Sequence, residues 1–238
     1  IWNGPVSSST ALGGYAEWIV DFRPISSGQV SAKNELDELN DIFMSKLDSA
    51  GNFVWAKKIG GTGTERGNSI AVDATGNVYA TGSFQGTVDF DPGTGTYELT
   101  SVGETDIFIS KLDANGNFLW AKRFGEAGID GSYSIAIDVA GNVYTTGFFY
   151  ETVDFDPGPG TFQMTSVGER DAFISKLDSN GNFIWAKQFG DSAFIDETSK
   201  LGIDSQGNLY VTGSFLGSMD FDPGPGSYSM TSQAMDRD

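Results

Sequence analysis

Asp106-Ile-Phe-Ile-Ser-Lys-Leu-Asp113, followed across a short polar gap by Gly116-Asn-Phe-Leu-Trp-Ala-Lys122, is the stretch that decides the fold. The same phrase starts at Asp41 and at Asp171, so three copies stand 65 residues apart, with their tryptophans at Trp55, Trp120 and Trp185. Self-similarity at a fixed period marks a repeat architecture in which each copy is one supersecondary unit. Residues that recur in every copy serve the fold first. A unique site belongs where the copies differ.

Residues 106–170 read as strands separated by turns. Ile107 to Leu112 is rich in β-formers. Asp113 heads a turn through Ala114, Asn115, Gly116 and Asn117, with glycine where a positive φ is wanted. Phe118 to Phe124 is a second strand, closed by Gly125, and a variable loop runs from Glu126 to Gly131. Tyr133 to Asp138 is a third strand, a second Asp-x-x-Gly-Asn turn follows, and Val143 to Gly147 is a fourth.

Four short antiparallel strands joined by tight turns predict one blade of a β-propeller. Blade repeats are assigned to 41–105, 106–170 and 171–238, with 1–40 as the diverged second half of a blade and helix expected only near Ala32 to Leu39. The predicted fold is all-β, a propeller of ~65-residue four-stranded blades. The ring is expected to be incomplete, because three units and a fraction fall short of the roughly four to eight blades that close. The chain thus reads as part of a longer chain or a larger assembly.

Ile107, Phe108, Ile109 and Leu112 put apolar groups on both faces of one strand. A sheet wetted on one side alternates more cleanly, whereas a blade is covered on both faces by its neighbours. The repeated tryptophans are expected to pack between blades. Val153-Asp-Phe-Asp-Pro-Gly158 and Thr161 to Thr165 form a two-strand excursion, kept from a central position by Pro157 and Pro159.

The formal charge is −18, from 32 acidic and 14 basic residues. That balance excludes nucleic acid as an expected partner, since its binding draws on clustered Lys and Arg. No apolar run is long enough for membrane insertion. Cys and His are both absent, which removes disulfides, thiol nucleophiles, Cys/His zinc sites and a Ser-His-Asp triad.

The paired carboxylates of Asp-Phe-Asp-Pro-Gly are the first candidate site: Asp89 and Asp91, Asp154 and Asp156, Asp220 and Asp222. Residues i and i+2 of an extended segment point the same way, so each pair is a candidate Ca²⁺ ligand set completed by carbonyls and water. The competing reading has the first Asp capping a turn and the second opening the Asp-Pro-Gly turn. The Asp-x-x-Gly-Asn turns headed by Asp48, Asp73, Asp113, Asp138, Asp178 and Asp204 lack the acidic spacing of a calcium loop and read as hairpin turns. Lys46, Lys111 and Lys176 recur too regularly for catalysis, which needs a singular environment. The variable loops carry Glu65 and Arg66, Glu126 and Asp130, and Asp191, Asp196 and Glu197. These are the candidate partner-binding loops.

The strand phrase, together with Ser134-Ile-Ala-Ile-Asp138 and Gly141-Asn-Val-Tyr-Thr-Thr-Gly147, resembles the bacterial β-propeller repeats of the SBBP type. The resemblance covers 41–238. The Asp-Phe-Asp-Pro-Gly insert is similar to a version found in secreted proteins of Bacteroidota. The resemblance implies a secreted or cell-surface location and interaction roles, and it brings no catalytic residues to transfer. The expected function is a non-enzymatic extracellular scaffold or interaction module for protein or glycan partners. The alternatives are a carbohydrate-active propeller (lectin, lyase or hydrolase), and a subunit of a surface assembly whose excursion strands pair between chains.

Overall fold

The computed structural model describes residues 40–190 and 197–232, and the chain divides into two units, Ile1–Glu38 and Leu39–Asp238. The half-blade and the helix expected before residue 40, and the loop residues Asp191 and Asp196, lie outside the described residues. Of Glu197 only the backbone is described.

Every regular element among the described residues is a strand. In chain order they are β1 (Ile42–Leu47), β2 (Phe53–Gly61), β3 (Glu65–Val72), β4 (Val78–Phe84), β5 (Thr87–Asp89), β6 (Glu98–Thr100), β7 (Asp106–Leu112) and β8 (Phe118–Phe124). They continue as β9 (Gly131–Ile137), β10 (Val143–Asp154), β11 (Gln163–Leu177), β12 (Phe183–Phe189), β13 (Glu197–Ile203), β14 (Leu209–Ser214), β15 (Ser218–Asp220) and β16 (Ser229–Thr231). The four strands expected in each repeat are present, and the Asp-x-x-Gly-Asn tetrads turn between them.

The strands are shared out differently from the repeat boundaries. One four-stranded sheet has the order β3-β4-β7-β8 and another β9-β10-β11-β12. Each joins the third and fourth strands of one repeat to the first and second strands of the next, whereas the sequence reading placed all four in one repeat. The reason is mechanical. The long Asp-Phe-Asp-Pro-Gly excursion is a hairpin that reverses the chain between the fourth strand of one repeat and the first of the next, so Phe84 of β4 lies opposite Asp106 of β7 and Val143 of β10 opposite Leu177 of β11; β5 of the first hairpin also pairs with β2. Strands two and three of a repeat, linked only by the variable loop, step from one sheet to the next. A third four-stranded sheet has the order β1-β2-β5-β6, and β13-β14 and β15-β16 are two-stranded.

The two-sided apolar pattern is explained by this stacking. Ile107, Ile109 and Phe124 pack with Phe149, Phe173 and Leu177 of the following sheet. Phe108 and Leu112, on the opposite side, pack with Ile42, Met44 and Ile59 of the preceding one. The edges β3, β9 and β13 adjoin: Asn68 donates to the Ser132 carbonyl at 2.8 Å, Ile135 N–H to Ser69 Oγ at 3.3 Å, and Leu201 N–H to Ser134 Oγ at 3.2 Å. All Asp-x-x-Gly-Asn turns consequently fall at one end of the sheets. The variable loops and the Asp-Phe-Asp-Pro-Gly hairpins fall at the other.

Candidate functional site

At the turn end, local chemistry explains each repeated residue. Asp113 Oδ1 accepts the N–H groups of Asn115 at 2.8 Å and Asn117 at 2.9 Å, while Oδ2 accepts the Asn117 side-chain amide at 2.8 Å. The same three bonds recur under Asp48, Asp73, Asp138, Asp178 and Asp204. Hydrogen bonds to the ionised form favour it. At Asp113 the backbone and side-chain donors of Asn117 hold the carboxyl below its ordinary value. At Asp73 burial pushes upward, but the combined donors of Thr75 and Asn77 win and the carboxyl sits well below the usual range. These turns are saturated hairpin caps.

The lysines and tryptophans latch one blade to the next. Lys46 Nζ and Trp55 Nε1 donate to the Ala114 carbonyl at 2.9 and 3.2 Å. One repeat on, Lys111 and Trp120 do the same to the Ser179 carbonyl at 2.9 and 3.3 Å. A side chain at Gly116, which sits at φ 79°, would come within 2.8 Å of Lys57 and 3.3 Å of Trp55. The inter-blade role expected of the tryptophans is met. The lysines turn out to be its second half, and their role was invisible in sequence because their acceptor is 68 residues away.

The paired aspartates fasten a hairpin. Asp154 Oδ1 accepts Asp156 N–H at 3.0 Å and Phe162 N–H at 2.8 Å, tying the two ends of the loop together. Asp156 Oδ1 caps Gly158 N–H at 2.8 Å. Asp89 and Asp91 repeat the scheme on Tyr97 and Gly93, and Asp220 and Asp222 repeat it on Tyr228 and Gly224. Between each pair the Phe points inward; Phe90 and Phe155 are completely buried. These bonds fill one oxygen of each aspartate, as the turn-capping alternative expects. Replacing Asp154 with Ala is expected to cost about 1–2 kcal/mol through the two lost bonds, read by urea denaturation. If capping is the whole role of these aspartates, the melting temperature is the same with and without a chelator; a fall on chelation shows a structural Ca²⁺.

The variable loops are anchored by buried acids. Asp130 has no exposed surface; its Oδ1 accepts Tyr150 N–H at 3.0 Å and its Oδ2 accepts Glu126 N–H at 3.1 Å. Its backbone N–H meets the Thr105 carbonyl at 2.8 Å, and Glu104 N–H meets the Gly128 carbonyl at 3.3 Å. Burial, reinforced by the neighbouring charges of Asp106 and Glu126, drives the Asp130 carboxyl up to about 7. Asp106 is equally buried; burial pushes its carboxyl up against the pull of its ion-pair partner Arg123. Gly125 is where that acid fits: a Cβ there would meet the Asp106 carboxyl at 2.5 Å. In the preceding copy Glu65 takes the place of Asp130, its N–H on the Asn40 carbonyl at 2.8 Å, and burial again raises its carboxyl.

These positions refine the expected partner surface. Glu65 and Asp130 are both buried. Arg66 at the start of β3, and Ala127 and Ile129 of the loop between β8 and β9, are exposed. Of the residues expected in partner-binding loops, Glu65 and Arg66 lie in β3 and Glu197 opens β13, whereas Glu126 and Asp130 stand between β8 and β9. Tyr150, whose N–H fixes Asp130, precedes Glu151, which stands at φ 55° where the other copies have Gly86 and Gly217.

Comparison with known proteins follows the same lines. The family described as Beta-propeller repeat matches residues 54–83 and 184–214. An uncharacterized WD repeat-containing protein of Acanthamoeba polyphaga mimivirus is 30% identical over 207 residues, covering 76% of this chain and 15% of that protein. Regulatory protein FlaEY of Caulobacter vibrioides is 27% identical over 179 residues, covering 74% of this chain and 18% of its own length. The chain thus spans less than a fifth of the length of these curated relatives. No helix among the described residues is long and apolar enough to cross a membrane. The sheets and the repeat matches together make the described body an all-β structure of β-propeller repeats whose sheets do not close on one another.

Proposed function

We propose that this chain is a non-enzymatic interaction scaffold, secreted or at the cell surface, that presents its variable loops to a protein or glycan. The observation that carries the reading is the division of labour between the two ends. Repeated polar residues are consumed by turns and latches, while the loop fastened by the buried Asp130 carries the exposed Ala127 and Ile129. A loop fixed from beneath loses little entropy on binding, which favours recognition. The buried acids, sealed from substrate, serve the loop rather than a reaction. The extracellular location rests on the resemblance of the Asp-Phe-Asp-Pro-Gly repeats to secreted proteins.

The test is a glycan array and a cell-surface binding assay with the chain and with Arg66→Ala/Ile129→Asp. Both residues are exposed, so the melting temperature is expected to stay within a few degrees. Binding is expected to fall at least tenfold. Binding that is absent, or that the double variant leaves intact, removes this reading.

A further inference from the structure

The adjoining strands β3, β9 and β13 share one irregularity. In β3, Gly67 lies opposite Gly82 and Ser69 opposite Thr81, which leaves Asn68 out of the ladder. In β9, Ser132 lies opposite Gly147 and Ser134 opposite Thr146, which leaves out Tyr133. In β13, Thr198 lies opposite Gly213 and Lys200 opposite Thr212, which leaves out Ser199. Each is a β-bulge, a device that re-aims one side chain. The three bulged residues, together with Lys200, line a single cavity of about 400 Å³. The bulges recur and so belong to the fold, but the residues they carry differ. Asn, Tyr and Ser occupy one position of the three copies, and Lys200 stands where the others have Ser69 and Ser134.

Tyr133 is propped in place by groups that the other copies lack. Its ring centroid lies 5.3 Å from that of Phe148, which is 6.2 Å from Tyr150 and 4.6 Å beneath the Arg170 guanidinium. The other copies have Ser83 and Ser214 in place of Phe148, and Gln85 and Leu216 in place of Tyr150. Room for the stack comes from Gly131, where a Cβ would stand 2.8 Å from the Phe148 ring; the other copies carry Arg66 and Glu197 there. These coordinated differences hold one half-buried aromatic ring at the cavity. Asn68 is fixed by its side-chain N–H on the Ser132 carbonyl, which leaves its Oδ1 to accept from a ligand. Ser199 and Lys200 are exposed, and Lys200 makes no ion pair among the described residues.

We propose, building on the scaffold role above, that this cavity binds one pyranose unit of a glycan. The C–H face of the sugar lies against the Tyr133 ring, and its hydroxyls meet Asn68, Ser199 and Lys200. Size separates the candidates: a protein interface takes about 800 Å² from each partner, whereas a cavity of this volume suits a small ligand. A net charge of −18 disfavours the phosphates of a nucleotide. One face of a pyranose is a patch of C–H groups that an aromatic face covers. Its hydroxyls need both donors and acceptors. Asn68 Oδ1 accepts, Lys200 Nζ donates, and the Ser199 hydroxyl does either. A propped ring and an anchored amide are already ordered, so little freedom is lost on binding.

The probes are methyl glycosides and short oligomers of glucose, galactose, mannose and N-acetylglucosamine, offered at millimolar concentration to the full chain and read by saturation-transfer NMR. At least one sugar is expected to receive saturation on its C–H protons. Tyr133→Ala is expected to weaken its binding about tenfold, whereas Tyr133→Phe keeps the ring and retains binding. Tyr133 is half-buried, so a second variant guards against misfolding. Ser199→Gln, at an exposed position, fills the cavity and is expected to abolish binding with an unchanged melting temperature. Val139→Asp, at an exposed turn position, leaves binding intact. A sugar that still binds both Tyr133→Ala and Ser199→Gln overturns the site. Cell-surface binding that is lost in Arg66→Ala/Ile129→Asp while no sugar binds also overturns it, and leaves the scaffold reading standing. Absence of binding of either kind removes both.

Discussion

Replacing Phe155 with alanine is expected to remove about 3–5 kcal/mol of stability, as for fully buried Phe→Ala changes in general. The residue looks unpromising in sequence, enclosed by two aspartates and followed by Pro-Gly in a hairpin loop. In the fold it is completely buried. Its ring centroid lies 5.3 Å from Phe149, 5.0 Å from Phe173 and 6.0 Å from Phe124. Phe149 and Phe173 belong to its own sheet and Phe124 to the preceding one, so the ring ties the hairpin to an inter-blade seam. Edge and tilted contacts of this kind add about 0.5–1.5 kcal/mol beyond area burial. Asp154 and Asp156 act as two staples that aim this side chain inward. Urea denaturation followed by tryptophan fluorescence measures the effect, since Trp120 lies in the preceding sheet and Trp185 in the same sheet as Phe149 and Phe173. A loss below about 1 kcal/mol would show that the hairpin is an ornament on the blade rather than part of its core.

Stability is expected to fall as pH rises from 5 to 8, and Asp130 is expected to account for the largest single part. A carboxyl at about 7 in the folded chain against about 3.9 when unfolded binds its proton more tightly when folded. Its contribution is therefore complete below about pH 4 and is lost as pH climbs through 7. The full shift corresponds to about 4 kcal/mol, an upper figure because the loop can relax around the charge. Burial pushes Asp106 and Glu65 in the same direction. The turn acids, Asp48, Asp73, Asp113, Asp138, Asp178 and Asp204, are held below their ordinary values. Their contribution has the opposite sign: present above about pH 4, it disappears as pH falls below that value. Between the two families stability should crest on the acid side of neutrality. Asp130→Asn sets an amide N–H₂ against a backbone N–H, so it lowers stability at pH 5 by about 1–3 kcal/mol while flattening the slope from 5 to 8. An unchanged slope in that variant would move the pH dependence elsewhere.

What was legible in the sequence was whatever the chain decides over a few residues. Asp113, Gly116 and Asn117 make their bonds within four positions of one another, so the turn follows from the tetrad wherever it is placed. The two-sided apolar strands announced burial on both faces in the same local way, and the Asp-Phe-Asp-Pro-Gly capping was among the readings the residues allowed. Partner choice was another matter. Each repeat offers strands so similar that pairing within a repeat and pairing across the repeat boundary satisfy the same pattern. Only the fold-back of the excursion hairpin, which sets Phe84 against Asp106, selects between them. Burial of Asp130 and Glu65, and the convergence of Lys111 and Trp120 on a carbonyl in the next copy, are likewise long-range facts. A charged residue's role depends on its surroundings, and those are assembled from segments tens of residues apart. The sequence by itself determined turns, strands, period and the two-sided core. The tertiary structure decided which strands share a blade and which acids lie inside, because both depend on long-range packing that the local pattern does not distinguish.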